Sequence, residues 1–205
     1  MSFDGIYLAS RSPRRRELLR QIGVRFTAVS ADVDETVQPG EAPVAYVSRL
    51  ALLKARTLWQ QVAVGQAAAH PVLGSDTTVV LDNRILGKPR DQTEAASMLL
   101  ALAGRRHQVM TAVALVHDSG VEQALVTTEV TFGPISAEQA AAYWATGEPA
   151  DKAGGYGIQG LGAVFVEQIK GSYTAVVGLP LFETANLLRK VGVRLWQQPE
   201  MTGNE

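Results

Sequence analysis

One short stretch limits the folds open to this chain more than any other. Residues 7–19 read YLASRSPRRRELL. The apolar run Ile6 to Ala9 predicts a strand, Ser10-Arg11-Ser12-Pro13 a turn, and Arg14 to Ile22 a helix with Leu18, Leu19 and Ile22 on one face. Ser12 suits the N-cap. Pro13 suits the first helical position, where a missing N–H costs nothing. Gly23 stands where a helix closes. A strand that feeds directly into a helix N-terminus belongs to a chain that layers helices on a sheet. Arg14, Arg15 and Arg16 all fall in that first turn, where the helix dipole disfavours cations by roughly 0.3–1 kcal/mol each when exposed. A bound polyanion would reverse the penalty, because the unpaired N–H groups and the arginines would then act together. On this reading, loss of Arg15 costs anion affinity and leaves the stability of the free protein largely intact.

The rest of the chain supports a mixed sheet. Val24 to Val29 predicts a second strand, and Pro43 to about Ala63 a long helix with Val44, Val47, Leu50, Ala51 and Leu58 as its apolar stripe. Lys54 lies near that stripe, either snorkelling from the core edge or pointing into a site. Between these elements, residues 31–41 form a polar loop holding Asp32, Asp34 and Glu35, whose spacing does not match a calcium-binding loop. Glu94 to Ala103 predicts a helix capped by Asp91. His107 to Val116 and Glu122 to Phe132 form an antiparallel hairpin, and Ser136 with Gln139 makes a capping box for a helix over Ala137 to Thr146. Ala163 to Ile169 predicts a strand that turns at Lys170-Gly171-Ser172 into another at Tyr173 to Val177. A last helix runs from Pro180 to Lys190. Early alternation followed by hairpins gives a mixed α/β fold with antiparallel parts. The domain is expected over residues 1–196, with 197–205 a disordered tail.

Two segments carry chemistry. In PVLGSDTTVVL, residues 71–81, Asp76 sits inside a β-rich apolar run. Propensity and burial both oppose a carboxylate there, so it is either paired, metal-bound or catalytic, or it marks a bulge at a strand end. The second segment, EPADKAGGYGIQGLG at 148–162, contains a formal G-x-G-x-x-G at Gly155, Gly157 and Gly160. A dinucleotide site is rejected because a helix end precedes it and a strand follows, the reverse of what that motif needs. Glycines so dense instead let backbone approach a ligand or another segment. His70, His107 and His117 are scattered and read as structural or exposed.

Composition narrows the partners. The net charge of −1 gives no global basic field, which disfavours duplex nucleic acid. Cysteine is absent, so disulfides and thiolate metal sites are excluded. No apolar run reaches the ~18 residues of a membrane span, and no basic-then-apolar leader opens the sequence. The expected location is the cytoplasm.

Taken together, ASRSPRRRELL at 9–19, the acidic loop ending in Asp34-Glu35, RLALLKA at 49–55, GSDTTVVLDNRILGKP at 74–89, HQVMTAVAL at 107–115, the glycine-rich 148–162 and GSYTAVVGLPL at 171–181 resemble the Maf family of nucleotide pyrophosphatases. The likeness runs from about Tyr7 to Val191. It implies an elongated, two-lobed fold around a twisted mixed sheet, like that of inosine triphosphatases, with a cleft between the lobes. It implies a nucleoside triphosphate substrate and a divalent cation (Mg²⁺ or Mn²⁺); a homodimer is left open. The family's catalytic acid matches Asp76, and its phosphate-binding and supporting residues match Ser10, Arg14, Arg15, Glu35, Lys54 and Lys88. Glu35 and Asp76 are the implied metal ligands. At Arg14, Thr77 and Gln159 the chain is similar to the thymidine/uridine branch rather than the methylated-guanosine branch, which usually carries tryptophan at the first of these. Arg11 departs from the small residue common there. The implied reaction is hydrolysis between the α- and β-phosphates to a monophosphate and pyrophosphate, with Asp76 as general base. Two alternatives stand beside it: a non-catalytic nucleotide-binding regulator of septum formation, and a pyrophosphatase for purine or modified nucleotides.

Overall fold

Strand β1, Ile6–Ala9, delivers the chain into helix α1, Pro13–Gln21, which returns it to β2, Phe26–Val29. This computed structural model describes residues 3–63 and 70–197. Ser12 caps α1 by accepting from the Arg15 N–H, and Pro13 takes the first turn, as the sequence predicts. The long helix α2, Pro43–Val62, leads to β3, Val72–Leu81. Asp82 and Asn83, both left-handed at φ 50° and 62°, turn β3 into β4, Arg84–Leu86. That two-residue turn matches the natural twist of a hairpin. Helix α3, Gln92–Leu102, precedes the long hairpin β5, Arg106–His117, and β6, Gly120–Phe132. Helix α4, Ala137–Ala145, carries the full Ser136/Gln139 capping box. Short 3-10 turns at Glu148–Asp151, Ala153–Gly155 and Leu161–Phe165 lead to β7, Val166–Lys170, then to helices α5, Tyr173–Val177, and α6, Leu181–Lys190.

The strands form one seven-stranded mixed sheet in the order β2-β1-β3-β5-β6-β7, with β4 also paired to β3. β1 is parallel to β2 and β3, and every other pairing is antiparallel. Side chains alternate across β3 and feed two cores. Leu73, Val79 and Leu81 pack with Leu18 and Leu19 of α1 and Leu99 and Leu102 of α3. Val72 and Val80 pack with Val47, Ala51, Ala55 and Leu58 of α2. Each fully buried leucine contributes about 1.5–3 kcal/mol relative to exposure. β3 is therefore covered on both faces: nine of its ten residues are buried, and the carboxylate of Asp76 stands out among them.

Three expectations are corrected. Tyr173–Val177 is not a strand but the helix α5. Its β-branched residues favour a strand, but Ser172 accepts from the Ala175 N–H and the N–H groups of Gly178 and Leu179 both reach the Thr174 carbonyl. Local capping and the burial of Ala175 and Val177 outweigh propensity. The strand expected from Ala163 begins only at Val166, because Leu161–Phe165 coils as a 3-10 turn. Val44 leaves the α2 stripe and is 45% exposed, since it lies in the first turn. Among the described residues no helix is long and apolar enough to cross a membrane. Of the expected tail, residues 198–205 lie outside the described residues.

Candidate active site

The site is built on a gap in the sheet. β5 pairs with β3 without interruption, placing Asp76 opposite Ala112. On the other edge of β3, β1 stops at Ala9 opposite Gly74, and β4 begins opposite Val79. Among the described residues, 75–78 thus have no strand neighbour on that edge. The unbroken β5 register rules out a bulge at Asp76. Its carboxylate stands mid-strand beside a notch.

Helix α2 supplies its partner. A Cβ built on Gly74 would lie 2.7 Å from the Ala55 nitrogen and closer still to the Ala51 carbonyl oxygen. Only glycine lets the helix backbone rest on the strand there. Lys54, beside that contact, is 9% exposed, so it does not snorkel to solvent. Its Nζ donates to Asp76 Oδ1 at 2.7 Å and pairs with Glu35 Oε1 at 2.6 Å. The Tyr46 hydroxyl, two turns earlier on α2, donates to the Glu35 carbonyl at 3.1 Å and holds the acidic loop in place. The two carboxylates are pushed apart in acidity. Burial raises Asp76 above the usual carboxylate range despite the nearby charges of Lys54 and Arg15. At Glu35 burial also acts upward, but Lys54, then Lys88 and Arg15, outweigh it and lower the pKa. A carboxylate made more basic beside one kept ionised is the division of labour expected of a proton acceptor and an electrostatic partner.

The neighbouring arginines have different surroundings. Arg15 Nε donates to the Gly178 carbonyl at 2.8 Å, one terminal nitrogen to Ser10 Oγ at 3.3 Å and the other to Thr77 Oγ1 at 3.2 Å. It ties the end of β1, the middle of β3 and the end of α5 together. Thr111 donates its one proton to the Ala175 carbonyl at 2.7 Å, so the 3.0 Å Thr77–Thr111 contact has Thr77 as donor. The Thr77 hydroxyl is thus committed to this network, with one lone pair facing Arg15. Arg14, by contrast, makes no hydrogen bond to the described residues and lines the cavity.

All nine residues singled out in the sequence — Ser10, Arg14, Arg15, Glu35, Lys54, Asp76, Thr77, Lys88 and Gln159 — line one cavity of about 700 Å³. That volume lies within the range of small-molecule sites. Asp76 and Lys54 lie deep, Lys88 and Gln159 are exposed at its wall, and the Gln159 amide has no hydrogen bond to the described residues. Tyr46, Glu148, Lys152 and Tyr156 also line it and were not singled out in the sequence. Tyr46 is detectable in principle, being eight residues before Lys54 on the same helix face. Glu148 gives no periodic signal, because the amides it accepts from, those of Leu161 and Gly162, lie 13 and 14 residues on, at the far end of an irregular loop.

Among the described residues no three His, Cys, Asp or Glu side chains converge as a metal cluster. Glu35 and Asp76 meet at the Lys54 ammonium. Two carboxylates suit a hard cation of the Mg²⁺ type, which takes one or two from protein and its other oxygens from phosphate and water.

The chain matches the family profile described as Maf-like protein over residues 5–191. It is 58% identical to the dTTP/UTP pyrophosphatase of Saccharophagus degradans, over 94% of this chain and 91% of that one. It is 53% identical to the dTTP/UTP pyrophosphatase of Pseudoalteromonas atlantica, over 92% of this chain and 97% of that one. Identity to the enzyme of the same name from Methylobacillus flagellatus is also 53%, over 93% of this chain and 94% of that one. The solved Staphylococcus aureus Ham1 protein superposes loosely, with a TM-score of 0.42 at 14% identity over 62% of this chain and 71% of that one. With its sequence motifs gathered around one cavity and matched from the first strand to the end of α6, this chain belongs to the Maf family.

Proposed function

We propose that this protein hydrolyses dTTP and UTP between the α- and β-phosphates, releasing the nucleoside monophosphate and pyrophosphate. The observation that carries the reading is Asp76, held in the β3 notch by Lys54 with its pKa raised by burial. The curated relatives bear the same activity in their names. A water oxygen bonds to phosphorus, the α–β bridging P–O bond breaks, and the water proton passes to Asp76. Arg14, Lys88 and the free donors of Arg15 meet the phosphate charge at the α1 N-terminus. Glu35 and Asp76 are the residues suited to hold Mg²⁺ or Mn²⁺. When bound, that cation would neutralise phosphate charge that otherwise repels the nucleophile. Gln159 offers an amide donor and a carbonyl acceptor, complementary to the O4 and N3–H of thymine or uracil, whereas cytosine has an acceptor at N3. This reading places the protein in the cytoplasm with the nucleotide pool, and a homodimer is tested by sedimentation. The test of the mechanism is Asp76→Asn, which keeps shape and removes the base. Turnover falls at least ~10²-fold while nucleotide binding persists. Near-normal turnover in a folded variant overturns the mechanism.

A further inference from the structure

The glycine-rich loop that carries Gln159 is wrapped around a single carboxylate. Glu148 Oε1 accepts from the Tyr143 hydroxyl at 2.6 Å and from the Gly162 N–H at 3.0 Å, and Oε2 accepts from the Leu161 N–H at 2.9 Å. The Tyr143 oxygen in turn accepts from the Gly157 N–H at 3.0 Å. The pair Glu148–Tyr143 therefore grips the loop two residues before Gln159 and again two and three residues after it. The glycines are the imprint of this grip. A Cβ on Gly160 would collide with Glu148 Oε2, one on Gly162 would lie 2.5 Å from the Tyr143 oxygen, and one on Gly157 would lie 3.0 Å from Glu148 Oε1. This gives two glycines of the formal motif, Gly157 and Gly160, a physical account: they admit a carboxylate of the same chain, whereas Gly155 is left-handed at φ 71° and lies by Pro89 and Ala95. No residue of the grip hydrogen-bonds or ion-pairs with Asp76, Lys54 or Glu35.

Gln159 itself has no hydrogen bond to the described residues, so its direction is set by the backbone on either side. An amide reads a base edge only if that direction is fixed before binding. We infer that Glu148, with Tyr143, is a positioning residue for base selection: it holds the Gln159 backbone so that the amide meets the base edge, without entering the phosphate chemistry. This rests on the proposed reading that Gln159 contacts the base.

Glu148→Gln keeps the size but turns an N–H toward the Leu161 N–H, and Tyr143→Phe removes the hydroxyl alone. The experiment measures kcat/KM for dTTP and CTP, inhibition by inorganic pyrophosphate, and Tm, in wild type, both variants and Gln159→Leu. The expected result is a loss of dTTP-over-CTP selectivity of about tenfold in both Glu148→Gln, which sets an N–H against the Leu161 N–H, and Tyr143→Phe, which loses its bonds to Glu148 and Gly157, since each hydrogen bond lost is worth roughly a factor of three or more. Pyrophosphate carries no base, so its inhibition stays within about twofold of wild type. If Glu148→Gln does not fold, Tyr143→Phe decides the matter by the same criterion. Unchanged selectivity in the folded variants, with selectivity lost in Gln159→Leu, overturns the positioning role and leaves base reading intact. So does an equal loss toward dTTP, CTP and pyrophosphate, which marks a merely structural brace. Unchanged selectivity in Gln159→Leu overturns the base-reading proposal and this inference with it.

Discussion

Arg14 and Arg15 are adjacent and chemically identical, yet the structure predicts opposite consequences for their loss. Arg15→Ala removes three hydrogen bonds from a cation, at 2.8, 3.2 and 3.3 Å. Each of the three groups keeps another hydrogen bond. Gly178 O keeps the Ser75 hydroxyl at 3.0 Å, a proton it shares with Ala112 O, Ser10 Oγ keeps the Ser12 N–H at 3.2 Å, and Thr77 keeps the bond it donates to Thr111. The cost is therefore the net worth of the bonds, not the larger penalty of stranded buried groups. Three bonds at roughly 1 kcal/mol each give about 3 kcal/mol. Burial disfavours the Arg15 charge and lowers its pKa, which returns part of that, so about 2 kcal/mol is expected. For a chain of this length that is a Tm drop of roughly 4–8 °C. Arg14→Ala, with no bonds to lose, should stay within about 0.5 kcal/mol of wild type while weakening nucleotide binding. Equilibrium denaturation and nucleotide titration of the two variants decide it. If Arg15→Ala is as stable as Arg14→Ala, the tie between β1, β3 and α5 is not a tie, and the sequence-based expectation that Arg15 serves affinity rather than stability stands.

Other consequences follow from named contacts. Gly74→Ala must push α2 back from β3, because the new Cβ would sit 2.7 Å from the Ala55 nitrogen; we expect a loss of about 1–3 kcal/mol in denaturant melts and a fall in turnover as Lys54 retreats from Asp76. His107 is buried with Nε2 on the Tyr156 hydroxyl at 2.8 Å, and burial pushes its pKa from 6.5 down to about 4. Between those values the unfolded chain binds the extra proton, so this contribution is complete above pH 6.5 and is lost as pH falls toward 4, to a total of about 3 kcal/mol. His107→Gln should flatten stability against pH over that window, and an unchanged slope would show that other groups carry it.

The sheet, the capped helices and the mid-strand carboxylate were legible because each leaves a local signature. Asp76 interrupts an apolar run, and Ser12-Pro13 announces a helix start. Features that depend on partners far along the chain were not legible. Nothing near Arg15 indicates that Gly178 will accept from it, so a structural anchor and a free cation look the same in sequence. Glu148 sits in a loop that reads as glycine-rich turn chemistry, and only the folded chain shows the amides of Leu161 and Gly162 closing on its carboxylate. α5 is hard to read because Tyr173–Val177 has strand-like residues, while the serine cap before it and the two N–H groups, of Gly178 and Leu179, that reach the Thr174 carbonyl are equally local but leave weaker signals. Thr77 shows the same limit: its position was recognisable, but the commitment of its hydroxyl to Arg15 and Thr111 required the facing strand and helix.

The most direct measurement is product identification with the wild-type protein on dTTP, UTP, CTP and GTP in the presence of Mg²⁺. The account predicts dTMP and UMP with one pyrophosphate each, and kcat/KM for dTTP and UTP above that for CTP and GTP. Release of orthophosphate with a nucleoside diphosphate, preference for GTP, or binding of all four without turnover would contradict it.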